Sequence, residues 1–326
     1  MKILVVGLGS MGRRRIRLIS KYFKNYTLFG VDTNEERGKN VSSEFDIRVW
    51  NSIETAIEEE KFDCAFICTS PLSHSILIKK CLENNMNVFT EINLVADGYK
   101  ENVALAKERN LLLFLSSTMI YKKEMKYIAS KVEKEKKYLY TYQVGQYLAD
   151  WHPWENYKDY FVGDKKTNGC RELLAIELPW IINTFGKVTK VQCVKNKISD
   201  LNIDYDDNYM LLLTHESGTV GTICVNVVSC EYIQSLKIVG NQFYISWDGD
   251  EDSFFAKTKP EDTISKVELY DFVERADGYS HSILENEYIN EIEQFFGELD
   301  KSRESVYGFM DDILTLSIID EVERQK

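Results

Sequence analysis

Two hydrophobic rhythms divide the chain. Over the first 120 residues, short apolar runs recur at Ile3–Val6, Thr27–Val31, Asp63–Cys68, Asn87–Thr90 and Leu111–Leu115. Helical spacing lies between them, at about residues 11–23, 34–44, 52–60, 73–84 and 97–109. Runs that are apolar throughout suit strands buried on both faces, and their alternation with amphipathic helices suits βαβ units. Right-handed crossovers then predict a doubly wound parallel sheet.

A further helix is expected over 119–135, after which the rhythm changes. Residues 138–144 alternate with period two, and a helix follows near 170–185. Strands are expected at Val188–Lys197, Tyr209–His215, Thr219–Val228, Ser235–Val239, Phe243–Trp247 and Val267–Phe272. Glu216-Ser217-Gly218 and Gly240-Asn241 read as hairpin turns between them. Helices near 283–299 and 305–324 close the chain. The fold class is therefore α/β: an N-terminal Rossmann doubly wound sheet over residues 1–120, and a C-terminal α+β domain over 121–326 with a large, mostly antiparallel open sheet. With 326 residues, two domains are the natural division.

Gly7-Leu8-Gly9-Ser10-Met11-Gly12 follows the first strand and opens the first helix, the context a dinucleotide fingerprint requires. Gly7 permits the tight turn, Gly9 lets backbone approach a pyrophosphate, and Gly12 lets helix pack on strand. The N–H groups of Ser10 and Met11 belong to the helix's amino end, which attracts phosphate. Asp32 ends the second strand, 20 residues past Gly12. A carboxylate there accepts the ribose hydroxyls of NAD(H) and repels the extra phosphate of NADP(H). Arg37 softens that preference only if it folds back; a surface helix position is the simpler reading.

Charge narrows the partners. The formal net charge of −12 repels nucleic acid, and the short basic runs Arg13–Arg15 and Lys134–Lys137 read as solvated helix faces. No apolar run approaches the ~20 residues of a membrane-spanning helix. The opening apolar run is too short for a signal peptide, so a cytoplasmic protein is expected. The seven cysteines form no CxxC pair and are expected to be reduced, with no metal site.

At this point the chain resembles the glucose–fructose oxidoreductase / inositol 2-dehydrogenase (Gfo/Idh/MocA) family along its whole length. The resemblance rests on the fingerprint, on Ile67-Cys68-Thr69-Ser70-Pro71-Leu72-Ser73-His74, on Val88-Phe89-Thr90-Glu91-Ile92-Asn93, and on the later helix-then-sheet layout. Glu287-Tyr288 and Glu291-Ile292-Glu293-Gln294-Phe295-Phe296 in the closing helices also resemble it. It implies that Thr69, Ser70 and His74 line the cofactor pocket and that Glu91 accepts from the nicotinamide ribose. Two departures stand out. Ile92 and Asn93 replace the Lys and Pro of the family's Glu-Lys-Pro. In Asn168-Gly169-Cys170-Arg171-Glu172-Leu173-Leu174-Ala175-Ile176-Glu177, Leu173 takes the place of the family's Asp and Glu177 that of its His.

Hydride transfer at a carbinol carbon needs an acid/base on the oxygen. Glu177 is the first candidate, because burial raises a carboxyl toward the useful range; Glu172 is a second. His152 is the alternative proton donor. It lies in a loop dense in rings, where Trp151, Trp154, Tyr157 and Tyr160 suit stacking on a sugar. The expected activity is NAD(H)-dependent oxidation or reduction of a sugar, cyclitol or nucleotide-sugar derivative. The alternatives are a non-catalytic dinucleotide-binding sensor or scaffold, or transient use of NAD for elimination or glycoside cleavage. A homodimer or homotetramer through the C-terminal sheet is expected, because an open sheet face needs a cover.

Overall fold

The computed structural model describes residues 1–152, 155–276 and 283–325. The chain forms two compact units, Met1–Ser117 with Ile289–Asp312, and Thr118–Tyr288 with Ile313–Lys326.

The first unit holds a parallel sheet of β1 (Lys2–Val6), β2 (Thr27–Val31), β3 (Arg48–Trp50), β4 (Cys64–Ile67), β5 (Asn87–Thr90) and β6 (Leu113–Leu115). The strands lie in the order β3-β2-β1-β4-β5-β6. They are connected through α1 (Ser10–Tyr22), α2 (Glu35–Phe45), α3 (Ile53–Glu59), α4 (His74–Glu83) and α5 (Tyr99–Arg109). The order reverses between β1 and β4, which opens a crevice at the carboxyl ends of those two strands. β4 is wholly apolar and buried, and β1 is so from Ile3 to Val6, as strands covered by helices on both faces must be. The three-residue β3 escaped the sequence reading; it is too short to show a period.

The second unit begins with a 3-10 turn at Thr118–Tyr121 and α6 (Lys123–Lys131). The single helix expected over 119–135 is broken at Lys122, whose backbone is extended (φ −68°, ψ 138°). Then come β7 (Leu139–Gly145), α7 (Gly169–Phe185), β8 (Val188–Asn196), β9 (Asn208–His215), β10 (Val220–Asn226), β11 (Ile233–Gly240), β12 (Phe243–Trp247), β13 (Phe255–Lys257) and β14 (Ser265–Lys266). The sheet order is β14-β13-β12-β11-β7-β10-β9-β8. Only β7 and β10 pair in parallel; every other neighbouring pair is antiparallel.

The alternation along β7 decides what covers the sheet. Tyr140, Tyr142 and Val144 face inward, and α7 lies on them. Phe185 stacks on Tyr140 with centroids 4.6 Å apart, and Trp180 meets Tyr142 edge-on at 5.3 Å. The strand expected at Val267–Phe272 does not form. The chain there is held by side chains instead, with the Tyr270 hydroxyl donating to Glu124 at 2.7 Å.

Two helices close the chain, α8 (Asn286–Leu299) and α9 (Phe309–Arg324). Residues 289–312 belong to the first unit, which corrects a division into 1–120 and 121–326. The reason is physical. Phe295 packs at 5.2–5.7 Å against Phe66, Phe89 and Phe114 of the parallel sheet, so this segment completes the first core. Among the described residues, no helix is long and apolar enough to cross a membrane.

Candidate active site

The glycine turn joins β1 to α1 through close backbone contacts. Gly7 has φ +88°, and its N–H donates to Val31 O at 2.8 Å. A Cβ on Gly7 would lie 2.8 Å from Cys68 O, so β1 and β4 meet too closely there for a side chain. A Cβ on Gly12 would lie 1.9 Å from Gly7 O, which forces glycine where α1 crosses the turn. Gly9 differs: a Cβ there would meet nothing within 4 Å. Internal packing does not require glycine at that position. An approaching diphosphate does, and α1 begins directly after it, with Ser10 and Met11 in its first turn. These residues therefore fit a bound dinucleotide.

Asp32 orders the same region and is 6% exposed. Oδ2 accepts from Leu8 N at 2.8 Å, and Oδ1 accepts from Asn34 N at 2.8 Å. Asn34 in turn caps α2. Arg37 is an exposed residue of α2, as a surface position implies, and it also folds back: its Nη1 lies 3.3 Å from Asp32 Oδ2. The guanidinium neutralises part of the carboxylate's charge.

At the end of β4, the Thr69 hydroxyl shares a 2.7 Å hydrogen bond with Ser73, and Ser70 is exposed. His74 is 1% exposed. Nε2 lies 2.9 Å from Thr69 O, and Nδ1 lies 2.7 Å from the Asn93 side chain. Burial lowers the ring's pKa, while the hydrogen bonds to Thr69 O and the Asn93 side chain work in the opposite direction. Both nitrogens are used internally. His74 therefore helps hold the Thr69 turn in place at the end of β4.

Glu91 is not a lone loop acid. Arg15 grips both its oxygens, with Nε to Oε1 at 2.7 Å and Nη2 to Oε2 at 3.1 Å. The same guanidinium reaches Glu291 Oε2 at 2.6 Å and lies 4.5 Å over the Phe89 ring. Ser117 N and the Ser116 hydroxyl donate to the other Glu291 oxygen. Arg15 is fully buried and Arg14 nearly so, which corrects the reading of Arg13–Arg15 as a solvated face. Burial works against the charge on Arg15, but Glu91 and Glu291 outweigh it and hold the group protonated. Burial also raises Glu291, with Glu91 adding to the effect. Spacing held a clue: Arg15 shares a helical face with Gly12, Ile16 and Ile19, all buried.

In the second unit, Glu177 sits on α7 and is 2% exposed. Trp180 Nε1 donates to its Oε2 at 2.7 Å, and the Tyr142 hydroxyl also bonds to it. Gln234 Nε2 donates to the Tyr142 oxygen at 2.8 Å, and the Tyr232 hydroxyl donates to Gln234 Oε1 at 2.7 Å. Burial pushes the Glu177 carboxyl up to about 7, against the pull of these donors and of Lys122. Glu172, in the first turn of α7, is pushed by burial to about 8, and its Oε2 has no hydrogen-bond partner among the described residues. Ile92 is half-buried in the first unit.

The ring-rich loop is partly committed to its own fold. Trp151 Nε1 donates to Gln146 O at 3.3 Å, and the Tyr157 oxygen accepts from Asn202 N at 3.2 Å. His152 pairs with Glu155 at 2.7 Å and stacks on Tyr160 with centroids 4.5 Å apart. The Tyr160 hydroxyl is buried with no hydrogen-bond partner among the described residues. Trp154 lies outside the described residues. All seven cysteines are free, and no metal-ligating cluster occurs among the described residues. Sequence reasoning missed Arg15, Glu291 and Lys122; Lys122 has no period of its own to mark it.

The strand order, the glycine turn and Asp32 together define a dinucleotide-binding Rossmann protein. Residues 1–117 match the model of the GFO_IDH_MocA family, described as an oxidoreductase family with an NAD-binding Rossmann fold. That match falls on the segment that carries the parallel sheet and the glycine turn. No curated protein matches the chain by sequence. Solved structures match its whole fold. One crystal form of UDP-N-acetylglucosamine 3-dehydrogenase from Acidithiobacillus ferrooxidans is 17% identical with TM-score 0.79, covering 99% of this chain and 96% of its own. The WlbA dehydrogenase from Bordetella pertussis, solved with NADH and UDP-GlcNAcA, is 14% identical with TM-score 0.76, covering 99% and 95%. A putative myo-inositol dehydrogenase from Sinorhizobium meliloti is 15% identical with TM-score 0.75, covering 98% and 95%. At these identities the likeness is one of fold.

Proposed function

We propose that this chain is an NAD(H)-dependent oxidoreductase acting at a carbinol or keto carbon of a sugar, cyclitol or nucleotide-sugar derivative. The observation that carries the reading is Gly9: glycine stands where the fold leaves open space, at the amino end of α1, with Asp32 ordering the turn. The nicotinamide ring, when bound, supplies or accepts the hydride. The chain's part is to bind, orient and move a proton. Gly7, Gly9, Ser10, Met11 and Gly12 hold the diphosphate, and Asp32 takes the adenosine ribose. Thr69 and Ser70 line the strand end. The lone pairs of Glu91 that Arg15 leaves open accept from the second ribose.

Glu177 then acts as the acid/base. A carboxyl raised to about 7 is half-protonated near neutrality, the condition under which a general acid/base both takes and returns a proton. His152, paired with Glu155, is the second group able to do so. The ring faces of Trp151, Trp154, Tyr157 and Tyr160 are assigned to substrate stacking. Among the solved likenesses, one is named for action on UDP-N-acetylglucosamine and another holds UDP-GlcNAcA, which supports the sugar class. The outer face of the large sheet exposes Val194, Met210 and Leu212, and a second copy of the chain covering it is part of the proposal.

The test is cofactor reduction at 340 nm across sugars, cyclitols and nucleotide sugars. Turnover is expected for one class and loss of at least about a hundredfold in Glu177→Gln. No turnover on the whole panel, with NADH still bound, favours the second reading of a non-catalytic dinucleotide-binding protein. Two observations support that reading: Ile92 lacks an amine, and Glu177 is closed from solvent.

A further inference from the structure

Arg15, Glu91 and Glu291 form a buried cluster of one cation and two carboxylates, all within the first unit. Three elements bring them together. Arg15 lies on α1, just past the glycine turn. Glu91 directly follows β5, and its N–H donates to Ile67 O, the last residue of β4, at 2.9 Å. Glu291 reaches in from α8 and is fully buried. Arg15 Nη2 lies 3.1 Å from Glu91 Oε2 and 2.6 Å from Glu291 Oε2, so one guanidinium serves both acids. Ser117 N at 2.7 Å and the Ser116 hydroxyl at 2.9 Å donate to Glu291 Oε1. Burial raises the Glu291 carboxyl, Arg15 opposes it, and Glu91 adds to the rise.

One guanidinium offsets one carboxylate, so the second carboxylate leaves these three groups with a net negative charge where water screens little. The sheet order says what that charge faces. Asp32 follows β2, the glycine turn follows β1, and Glu91 stands at the ends of β4 and β5, on the other side of the switch point. A dinucleotide with its diphosphate at Gly9 and its adenosine half at Asp32 extends its other half across that point, toward β4 and β5. The two oxidation states of the cofactor differ in charge in that half alone. The oxidised nicotinamide ring is a cation, and the reduced ring is neutral. A buried negative charge nearby therefore discriminates between them.

We propose that Glu291 sets the oxidation-state preference of the dinucleotide site: its carboxylate, standing behind the Arg15–Glu91 pair, favours the cationic oxidised nicotinamide over the neutral reduced one. The proposal rests on the reading of the first unit as the dinucleotide-binding part of an oxidoreductase. Glu291 is fully buried, so it acts through its charge rather than by contact with the cofactor. No bond is made or broken in this role. Arg15 offsets the charge of Glu91, the acid nearer the strand ends, and Glu291 restores the negative sign.

The test reads binding, without substrate. NAD+, NADH and ADP-ribose are titrated calorimetrically into wild-type protein and Glu291→Gln at about pH 8, where carboxyl groups ionise. ADP-ribose keeps both riboses and the diphosphate but lacks the ring. In Glu291→Gln the affinity for NAD+ relative to NADH is expected to fall about five- to tenfold, while NADH and ADP-ribose change in parallel. An unchanged ratio of NAD+ to NADH affinity overturns the proposal. An equal loss for all three ligands overturns it too, because the residue then only supports the fold. If Glu291→Gln does not fold, Glu291→Met removes the charge at similar volume, and the same ratio decides. No binding of any of the three to wild-type protein rejects the dinucleotide reading itself, whereas binding with an unchanged ratio rejects only the role of Glu291.

Discussion

Replacing Glu177 by Gln separates burial from charge at the centre of the second unit. The carboxyl is buried under α7, and its pKa rises from the ordinary 4.5 to about 7. The folded chain therefore holds the proton more tightly than the unfolded chain does. This raised pKa gives a stabilising contribution that is complete below about 4.5 and lost as pH climbs through about 7. Between pH 5 and 8.5 that loss amounts to about 2–3 kcal/mol in the wild-type protein. Gln has nearly the same shape, its carbonyl still accepts from Trp180, and it has no proton to lose. The difference in unfolding free energy, Gln variant minus wild type, should thus grow by about 2–3 kcal/mol across the range. Glu172 titrates in both proteins and cancels. Urea unfolding at several pH values, followed by tryptophan fluorescence, reads the difference. Parallel stability curves for the two proteins would refute the claim that Glu177 is buried and proton-bound near neutrality.

Two further substitutions probe the first unit. Gly12→Ala places a methyl 1.9 Å from Gly7 O, so unfolding free energy should fall by at least about 2 kcal/mol; a Tm equal to wild type contradicts the close crossing of α1 over β1. Arg15→Met leaves Glu91 and Glu291 buried without their cation. It should cost about 3–5 kcal/mol at neutral pH and less at pH 5, where a carboxyl takes up a proton, as denaturation at the two pH values will show.

The first unit was largely legible because two-sided burial writes itself as continuous apolar runs. β1, β2, β4 and β5 fall where such runs occur, and the glycine turn lies where the fingerprint puts it. What failed did so for identifiable reasons. β3 is too short to show a period, and no strand forms at Val267–Phe272, where a six-residue strand was expected; the two-residue β14 lies just ahead of it. The return of residues 289–312 to the first core rests on pairing over long sequence separation, Arg15 with Glu291 and Phe66 with Phe295. No local pattern encodes a partner 276 residues away.

The site was legible in its backbone and less so in its charges. Spacing singled out Gly7, Gly9, Gly12 and Asp32; a Cβ at Gly7 or Gly12 would clash, Asp32 accepts from Leu8 N, and Gly9 faces open space. His74 and Glu91 were named for their place at strand ends, but a position does not reveal that His74 is spent on Thr69 and Asn93, or that Glu91 is gripped by Arg15. Lys122 stood in an unremarkable Lys-Lys pair until its neighbour's burial was known. Side-chain partners are tertiary facts, and a single chain read along its length does not show them.

The central claim is that a dinucleotide's diphosphate rests on the backbone at Gly9. Calorimetric titration of NADH into wild-type protein and Gly9→Ala tests it most directly, because the added methyl meets nothing within 4 Å in the protein itself. The account predicts saturable binding to wild type, at least about a tenfold loss in Gly9→Ala, and an unchanged Tm without ligand. No binding to wild type, or equal affinity for both proteins, contradicts it.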